Sequence, residues 1–267
     1  MHPAHAPLQE FSGWSAVDTS CHLGQWPYRL AASAGPAELR EHARRHGLSE
    51  VWVSHLAALF GFDTRSGNEA CLAAAPGDEV LRPFAVLDAS EPTWPAELAW
   101  AERAGFAGIR IAPGFHSHRL ADALELAAGC ASAGLVLQVL VRLDDARSRH
   151  PLSCARDLEP REVADFVRAA PVVPLLISGL NWAEAGEVAR HLGDQVPETV
   201  RFDLWHVNGP LGVADLLAEH PSRWVFGSGF PVQLPEPTML QLTASRLAPD
   251  VLAAITRRNA EQLLRDS

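Results

Sequence analysis

The sequence predicts a single (β/α)8 TIM barrel, on three observations. Short β-rich runs alternate with helical patterns along the whole chain, which is the signature of parallel βα units. The length, 267 residues, suits one barrel of roughly 250 residues. No linker-like or low-complexity stretch interrupts the alternation, so residues 1–267 read as one domain.

The first strand is Ser15–Gly24, an apolar run with polar residues towards its C-terminal end, the end that faces the active site in such a barrel. Pro36–His46 reads as a helix, with proline in its first turn and Gly47 as its stop. Glu50–His55 is the second strand, and a short helix around Glu69–Ala75 follows a Gly- and Asn-containing loop. Val80–Asp88 is the third strand, Pro95–Ala104 a helix closed by Gly105, and Gly108–Pro113 the fourth strand. Asp122–Ala133 is helical up to Gly134, and Leu135–Leu143 is the fifth strand, apolar except for Gln138 and Arg142. Then come helix Pro160–Ala169, strand Val172–Leu180, helix Ala183–Leu192 and strand Val200–His206. Helix Val213–His220, the eighth strand Trp224–Phe230 and a last helix Pro249–Leu264 complete the pattern.

Composition excludes several classes of function. A formal charge of -10 argues against a nucleic-acid or anionic-membrane partner, because phosphate binding needs a basic footprint. The chain has no lysine, which removes Schiff-base, pyridoxal-phosphate and P-loop chemistry. Its cysteines, Cys21, Cys71, Cys130 and Cys154, lie far apart with no C-x-x-C pair and read as reduced thiols. With no signal-peptide pattern and no apolar run of roughly 20 residues, a cytoplasmic protein is expected. The oligomeric state stays open, a homo-oligomer included.

Asp18–His22, Phe226–Pro231, Gly105–Ile111 and Asn259–Leu264 together resemble the amidohydrolase superfamily, in its amidohydrolase-related branch of decarboxylases and lactonase-like enzymes. Asp18-Thr19-Ser20-Cys21-His22 is similar to that family's first-strand Asp-x-His-x-His, and Phe226-Gly227-Ser228-Gly229-Phe230-Pro231 to its last-strand Phe-Gly-Ser-Asp-x-Pro. Gly105–Ile111 resembles the fourth-strand Gly-x-x-Gly-Val-Lys/Arg-Leu, and Asn259–Leu264 the closing Asn-Ala-x-x-Leu-Phe. The resemblance implies a barrel with a metal held by two first-strand histidines, a fifth-strand histidine and the last-strand Asp. Here those positions carry Ser20, His22, Leu140 and Gly229, and the usual sixth-strand histidine falls near Ser178 or Gly179. One histidine does not make a catalytic zinc site, so neither a metal nor another cofactor is expected. A rebuilt site would have to draw on His55, His206 or the loop pair His116 and His118, which otherwise read as two solvated histidines.

The candidate site residues follow from strand parity and from the resemblance. His22 is the candidate acid/base, expected to titrate near neutrality, with Asp203 as an alternative base. Arg110, Arg142 and Gln138 are expected to point inwards as substrate-binding residues, joined by Ser20 and Trp205. The two arginines either pair with Asp18, Asp88, Asp144 or Asp203 or form a clamp for a substrate carboxylate.

Three readings of function follow. The first is a metal-independent hydrolase for a small carboxylated lactone or amide; the second is an inactive barrel that binds a metabolite or partner subunit; the third is a metal-dependent decarboxylase. Convergence of His22, Arg110 and Arg142 on an open cavity would favour the enzyme. A mouth filled by Trp and Leu would favour the inactive barrel.

Overall fold

Runs such as Val51-Trp52-Val53 and Leu137-Gln138-Val139-Leu140 are apolar on both faces, so they are stable as strands only where both faces are covered. The computed structural model describes residues 5–29, 32–61, 63–147, 149–193, 196–207 and 213–267. In it these runs form β1 (Val17–Gln25), β2 (Ser33–Ala34), β3 (Glu50–His55), β4 (Leu81–Val86), β5 (Gly108–Ile111), β6 (Val136–Leu140), β7 (Leu175–Ser178), β8 (Val200–Asp203) and β9 (Trp224–Val225). They make one curled nine-stranded sheet in the order β2-β1-β3-β4-β5-β6-β7-β8-β9. Pairing is parallel from β1 to β9, and β2 adds antiparallel to β1 with Gly24 opposite Ala34. The curl brings the two ends of the sheet together. Thr19 N–H donates to the Phe226 carbonyl at 3.1 Å, and His22 N–H to that of Phe230 at 2.8 Å.

Helices α1 (His5–Ser12), α2 (Pro36–His46), α3 (Ala57–Phe60), α4 (Thr64–Ala74), α5 (Trp94–Ala104) and α6 (Leu124–Ala133) alternate with the first strands. They are followed by α7 (Pro160–Ala169), α8 (Trp182–Leu192), α9 (Val213–Glu219), α10 (Glu236–Ala244), α11 (Pro249–Ala253) and α12 (Asn259–Arg265). Helices α2, α5 and α6 stop where the sequence places their glycines, each with a left-handed backbone at Gly47, Gly105 and Gly134.

The structure corrects the sequence reading in several places. The short helices α1 and α10 and the two-residue β2 are additions. α4 begins at Thr64 because the Asp63 side chain accepts from Ser66 N–H, an N-cap that starts the helix early. The last helix is broken by a π-turn over Ala254–Arg258. All strands from β4 to β9 end sooner than expected, by two residues at β4, β5 and β7 and by more at β6, β8 and β9, which stop at Leu140, Asp203 and Val225.

The concave face of the sheet is stacked in layers. Val17, Trp52, Phe84, Val136, Leu176 and Val225 form an apolar floor, with the Trp52 and Phe84 rings stacked at 4.8 Å. Val86, Ala112, Leu140 and Trp205 belong to a second apolar cluster above, with Trp26, Leu56, Leu59 and Leu143. Between the two lies a belt of buried polar side chains.

Candidate active site

β1 sets up this belt through an irregularity. Its register with β3 shifts between Asp18 and Cys21, as a β-bulge does. The bulge resets the alternation, so Ser20 and His22 both meet residues of the concave face. Asp18 instead meets α2, where His42 Nε2 lies 3.2 Å from its Oδ2. Burial works to raise the pKa of Asp18, but His42 and the Ser228 contact hold it below the usual carboxylate value. The Ser228 backbone N–H donates to its Oδ1 at 3.0 Å, tying the first strand to the last.

Arg110 of β5 is the hub of the belt. Its guanidinium is fully buried, and its N–H groups are all taken inside the protein. Nε donates to Gln138 Oε1 at 2.6 Å, Nη1 to Cys21 O and Ser54 Oγ at 2.7 and 2.8 Å, and Nη2 to Thr19 O and Trp52 O at 2.9 Å each. Burial lowers its pKa to about 10, still far above neutrality, so it stays charged. Gln138 continues the chain, with Nε2 donating to Ser178 Oγ at 2.7 Å and to Ser20 Oγ at 3.1 Å. Ser20 Oγ in turn donates to Asp203 Oδ2 at 2.6 Å, and Gly179 N–H donates to Asp203 Oδ1 at 3.0 Å. Burial raises the Asp203 carboxyl to about 6 against these hydrogen bonds.

His22 closes the other end. Its Nδ1 lies 3.3 Å from Ser54 Oγ, the hydroxyl that accepts from Arg110 and therefore has its own proton to give. This leaves the ring proton on Nε2, which has no hydrogen-bond partner among the described residues. Burial first, and then the Arg110 charge, hold His22 well below the ordinary histidine pKa. The expectation of titration near neutrality is thereby corrected: the imidazole is neutral across the physiological range.

The structure thus joins His22, Arg110, Gln138, Ser20 and Asp203 in one network, and it leaves Arg142 out. Strand parity relates Arg142 to Gln138 only while the strand lasts, and β6 ends at Leu140. Arg142 turns to the rim, where Nε donates to Asp157 Oδ2 at 2.9 Å and Nη1 and Nη2 grip Glu184 at 2.7 and 2.6 Å. The arginines do not converge, and neither uses the acids considered as partners in the sequence. Glu184 had a sequence signal: it is the third helical residue of an Asn181-x-x-Glu184 capping box at the start of α8. Ser178 stands near the position where the resemblance puts a sixth-strand histidine, and Ser54, the other belt residue missed, carries no such signal.

The mouth above the belt is filled. Trp205 follows β8 and lies over Gly229, whose backbone is left-handed at φ 72°. A Cβ on Gly229 would sit 1.6 Å from Trp205 Cε3, so the indole occupies the space any side chain there would take. His22 lies under the same indole, with ring centroids 6.4 Å apart. Leu140 is buried in the apolar layer, and Ser20 is committed to Asp203. The four residues at the positions of the family's ligands therefore do not fit a metal. Surface cavities of about 490–620 Å³ mark the described residues, and those five are not lined by His22, Ser20, Arg110, Gln138 or Asp203.

Two cavities open elsewhere. One of about 520 Å³ lies against Arg142, Arg147, Trp182, Glu184 and His206. Burial lowers His206 to about 4, so it is neutral there. The other, of about 490 Å³, reaches Asp88 and His116. His118 is buried rather than solvated, and burial lowers the pKa of His116. His55 is hydrogen-bonded to the Ala57 N–H through Nδ1. No helix among the described residues is long and apolar enough to cross a membrane.

No family model matches the chain, and no curated protein does. Solved structures do. An uncharacterised TIM-barrel protein of Bordetella bronchiseptica is 15% identical, with a TM-score of 0.69 over 94% of this chain and 98% of the other. An amidohydrolase of Burkholderia multivorans is 16% identical, with a TM-score of 0.62 over 94% and 99%. A dihydroxybenzoic acid decarboxylase of Polaromonas sp. JS666, with bound manganese and 2-nitroresorcinol, is 11% identical, with a TM-score of 0.68 over 94% and 97%. Decarboxylases named for carboxylated aromatics recur among the matches. In fold, the chain is similar to these TIM-barrel structures, among them an amidohydrolase and several decarboxylases.

Proposed function

We propose that this chain is an amidohydrolase-like barrel that has given up chemistry at its centre and works by binding a small molecule at the rim. The observation that carries the reading is Trp205, which fills the space over Gly229 and covers His22. Beneath it every donor of Arg110 has an internal acceptor, so a substrate carboxylate would have to displace backbone carbonyls to reach it. A metal-independent hydrolase needs His22 or Asp203 within reach of substrate, and both are buried. We take the sheet to close as a single (β/α)8 barrel spanning 1–267, supported by the Thr19–Phe226 and His22–Phe230 bonds. The four free cysteines suit a reducing cytoplasm.

The rim cavity sets the chemistry of the ligand. Arg142 and Arg147 face Asp145, Asp157 and Glu184, two positive charges against three negative. Arg142 and Arg147 are already paired with these acids. The half-exposed Trp182 offers an aromatic face beside them. The balance suits a flat, polar ligand without net negative charge, held by the indole and the acids. The carboxylated ligand expected from sequence is disfavoured there.

The test is a binding and turnover screen on one panel: lactones, hydroxylated benzoates, and flat neutral or cationic aromatics, each with and without zinc or manganese. Binding of a flat uncharged or cationic compound, weakened about tenfold in Trp182→Ala, is the expected result, with no turnover of any compound. A stacking contact worth about 1.4 kcal/mol corresponds to that factor. Turnover of a lactone or benzoate that disappears in His22→Gln would overturn the proposal. The runner-up reading, a metal-dependent decarboxylase, rests on the matched decarboxylases, and metal-dependent loss of carbon dioxide from a benzoate would favour it.

A further inference from the structure

His116 and His118 sit on the loop that follows β5, and Asp88 lies just beyond the end of β4, so all three stand at the C-terminal ends of neighbouring parallel strands. The loop is fixed by its backbone: His116 N–H donates to Ala112 O at 3.0 Å and His118 N–H to Pro113 O at 3.2 Å. Between them Ser117 takes a left-handed turn at φ 59°. The two imidazoles lie face to face, 6.5 Å apart and inclined by 25°.

The outer nitrogen of the His118 ring is committed. His118 Nδ1 lies 2.9 Å from the Arg119 carbonyl, which can only accept, so Nδ1 carries the proton and Nε2 the lone pair. His116 Nδ1 has no hydrogen-bond partner among the described residues. His118 Nε2, more than nine-tenths buried, has none either. Both unpartnered nitrogens face Asp88. His116 Nδ1 is 3.9 Å from Asp88 Oδ2, and His118 Nε2 is 3.6 Å from Asp88 Oδ1. These separations are too long for hydrogen bonds. They approach the ligand-to-ligand edge of a tetrahedral zinc site, about 3.3 Å for bonds of about 2.0 Å. One donor atom from each residue lies within 4.8 Å of the others. Asp88 is itself oriented, since its Oδ1 accepts from Ser90 N–H at 2.9 Å and Ser90 Oγ at 2.7 Å. Backbone and hydroxyl partners of this kind are what hold metal ligands in place.

We infer that Asp88, His116 and His118 form a binding site for a divalent transition ion of the zinc class. The site offers two imidazoles and one carboxylate, with its remaining position towards the cavity of about 490 Å³ that Asp88 and His116 line. Three protein ligands and an open position are the donor set of an ion that can take up an exchangeable water or a ligand donor. The inference is independent of the sealed barrel centre, because none of its three residues belongs to that network.

The test uses untagged full-length protein, stripped by chelator, dialysed and then equilibrated with zinc or cobalt(II). The expected result is one ion per chain by elemental analysis. The cobalt form should show the visible absorption of a four- or five-coordinate nitrogen–oxygen site. His118→Gln and Asp88→Asn should each weaken binding at least about tenfold, the smallest loss typical even of a residue that only supports a ligand. Circular dichroism checks that these variants are folded, and the cobalt spectrum of the parent stands without them. No retention of zinc by the parent, or equal retention by the folded variants, would overturn the assignment. So would a thiolate-to-cobalt charge-transfer band, which would place the ion at the other buried donor group, Asp18, Cys21 and His42.

Discussion

Arg110→Met should destabilise the protein by about 4 kcal/mol or more, enough to leave little folded protein at ambient temperature. Methionine keeps much of the length and apolar bulk of the arginine stem but offers no donor. Three buried backbone carbonyls, those of Thr19, Cys21 and Trp52, would lose the guanidinium, as would Ser54 Oγ and Gln138 Oε1. A buried polar group left without a partner costs about 1–3 kcal/mol, and these five stand on three strands, β1, β3 and β6. Losses within one network are not additive, so the total falls below the sum. Urea unfolding measures it. Arg142→Met, which frees two partly exposed carboxylates at the rim, should remain folded. An Arg110→Met protein of parental stability that had lost affinity for a ligand would show that the guanidinium serves the ligand rather than the fold.

The second large effect is expected at Gly229. Gly229→Asp, which restores the residue that the family resemblance leads one to expect, should cost about 3 kcal/mol or more. Overpacking a filled site costs about 1–3 kcal/mol, and a left-handed backbone about 1–2 kcal/mol more for a residue with a Cβ. The new Cβ would stand 1.6 Å from Trp205 Cε3, so the indole must leave its place. Trp205→Ala in the same chain should recover part of the loss, with a coupling of about 1–3 kcal/mol in a double-mutant cycle. Independent costs for the two substitutions would mean that Trp205 does not fill the space over residue 229.

Periodicity made most of the architecture legible, because both faces of these strands are buried and their apolar runs stand out between glycine-stopped helices. The bounds of β3 and α2 are those read from sequence, Glu50–His55 and Pro36–His46. What escaped were elements too short to show a period, such as β2, and strand ends. The end of β6 at Leu140 mattered most, since parity carried two residues too far is what aimed Arg142 at the centre. The partners of Arg110 were out of reach for another reason. Three of them are backbone carbonyls, which every residue possesses and no sequence distinguishes. That Trp205 rests on Gly229, and that the loop pair His116 and His118 meets Asp88, depends on contacts between separate βα units.

The central claim is that His22 and Asp203 belong to a sealed structural layer. Side-chain NMR of the labelled protein, titrated from about pH 8 to about pH 5, tests it most directly. His22 should stay neutral throughout with its proton on Nε2, since burial and Arg110 hold its pKa well below the usual value. Asp203 should take up its proton near pH 6, where burial places it. Neither signal should move when a carboxylated aromatic is added. A His22 ring that titrates near the ordinary histidine pKa, or that shifts with the added compound, would mean that the centre is open to solvent and substrate, and the account would fail.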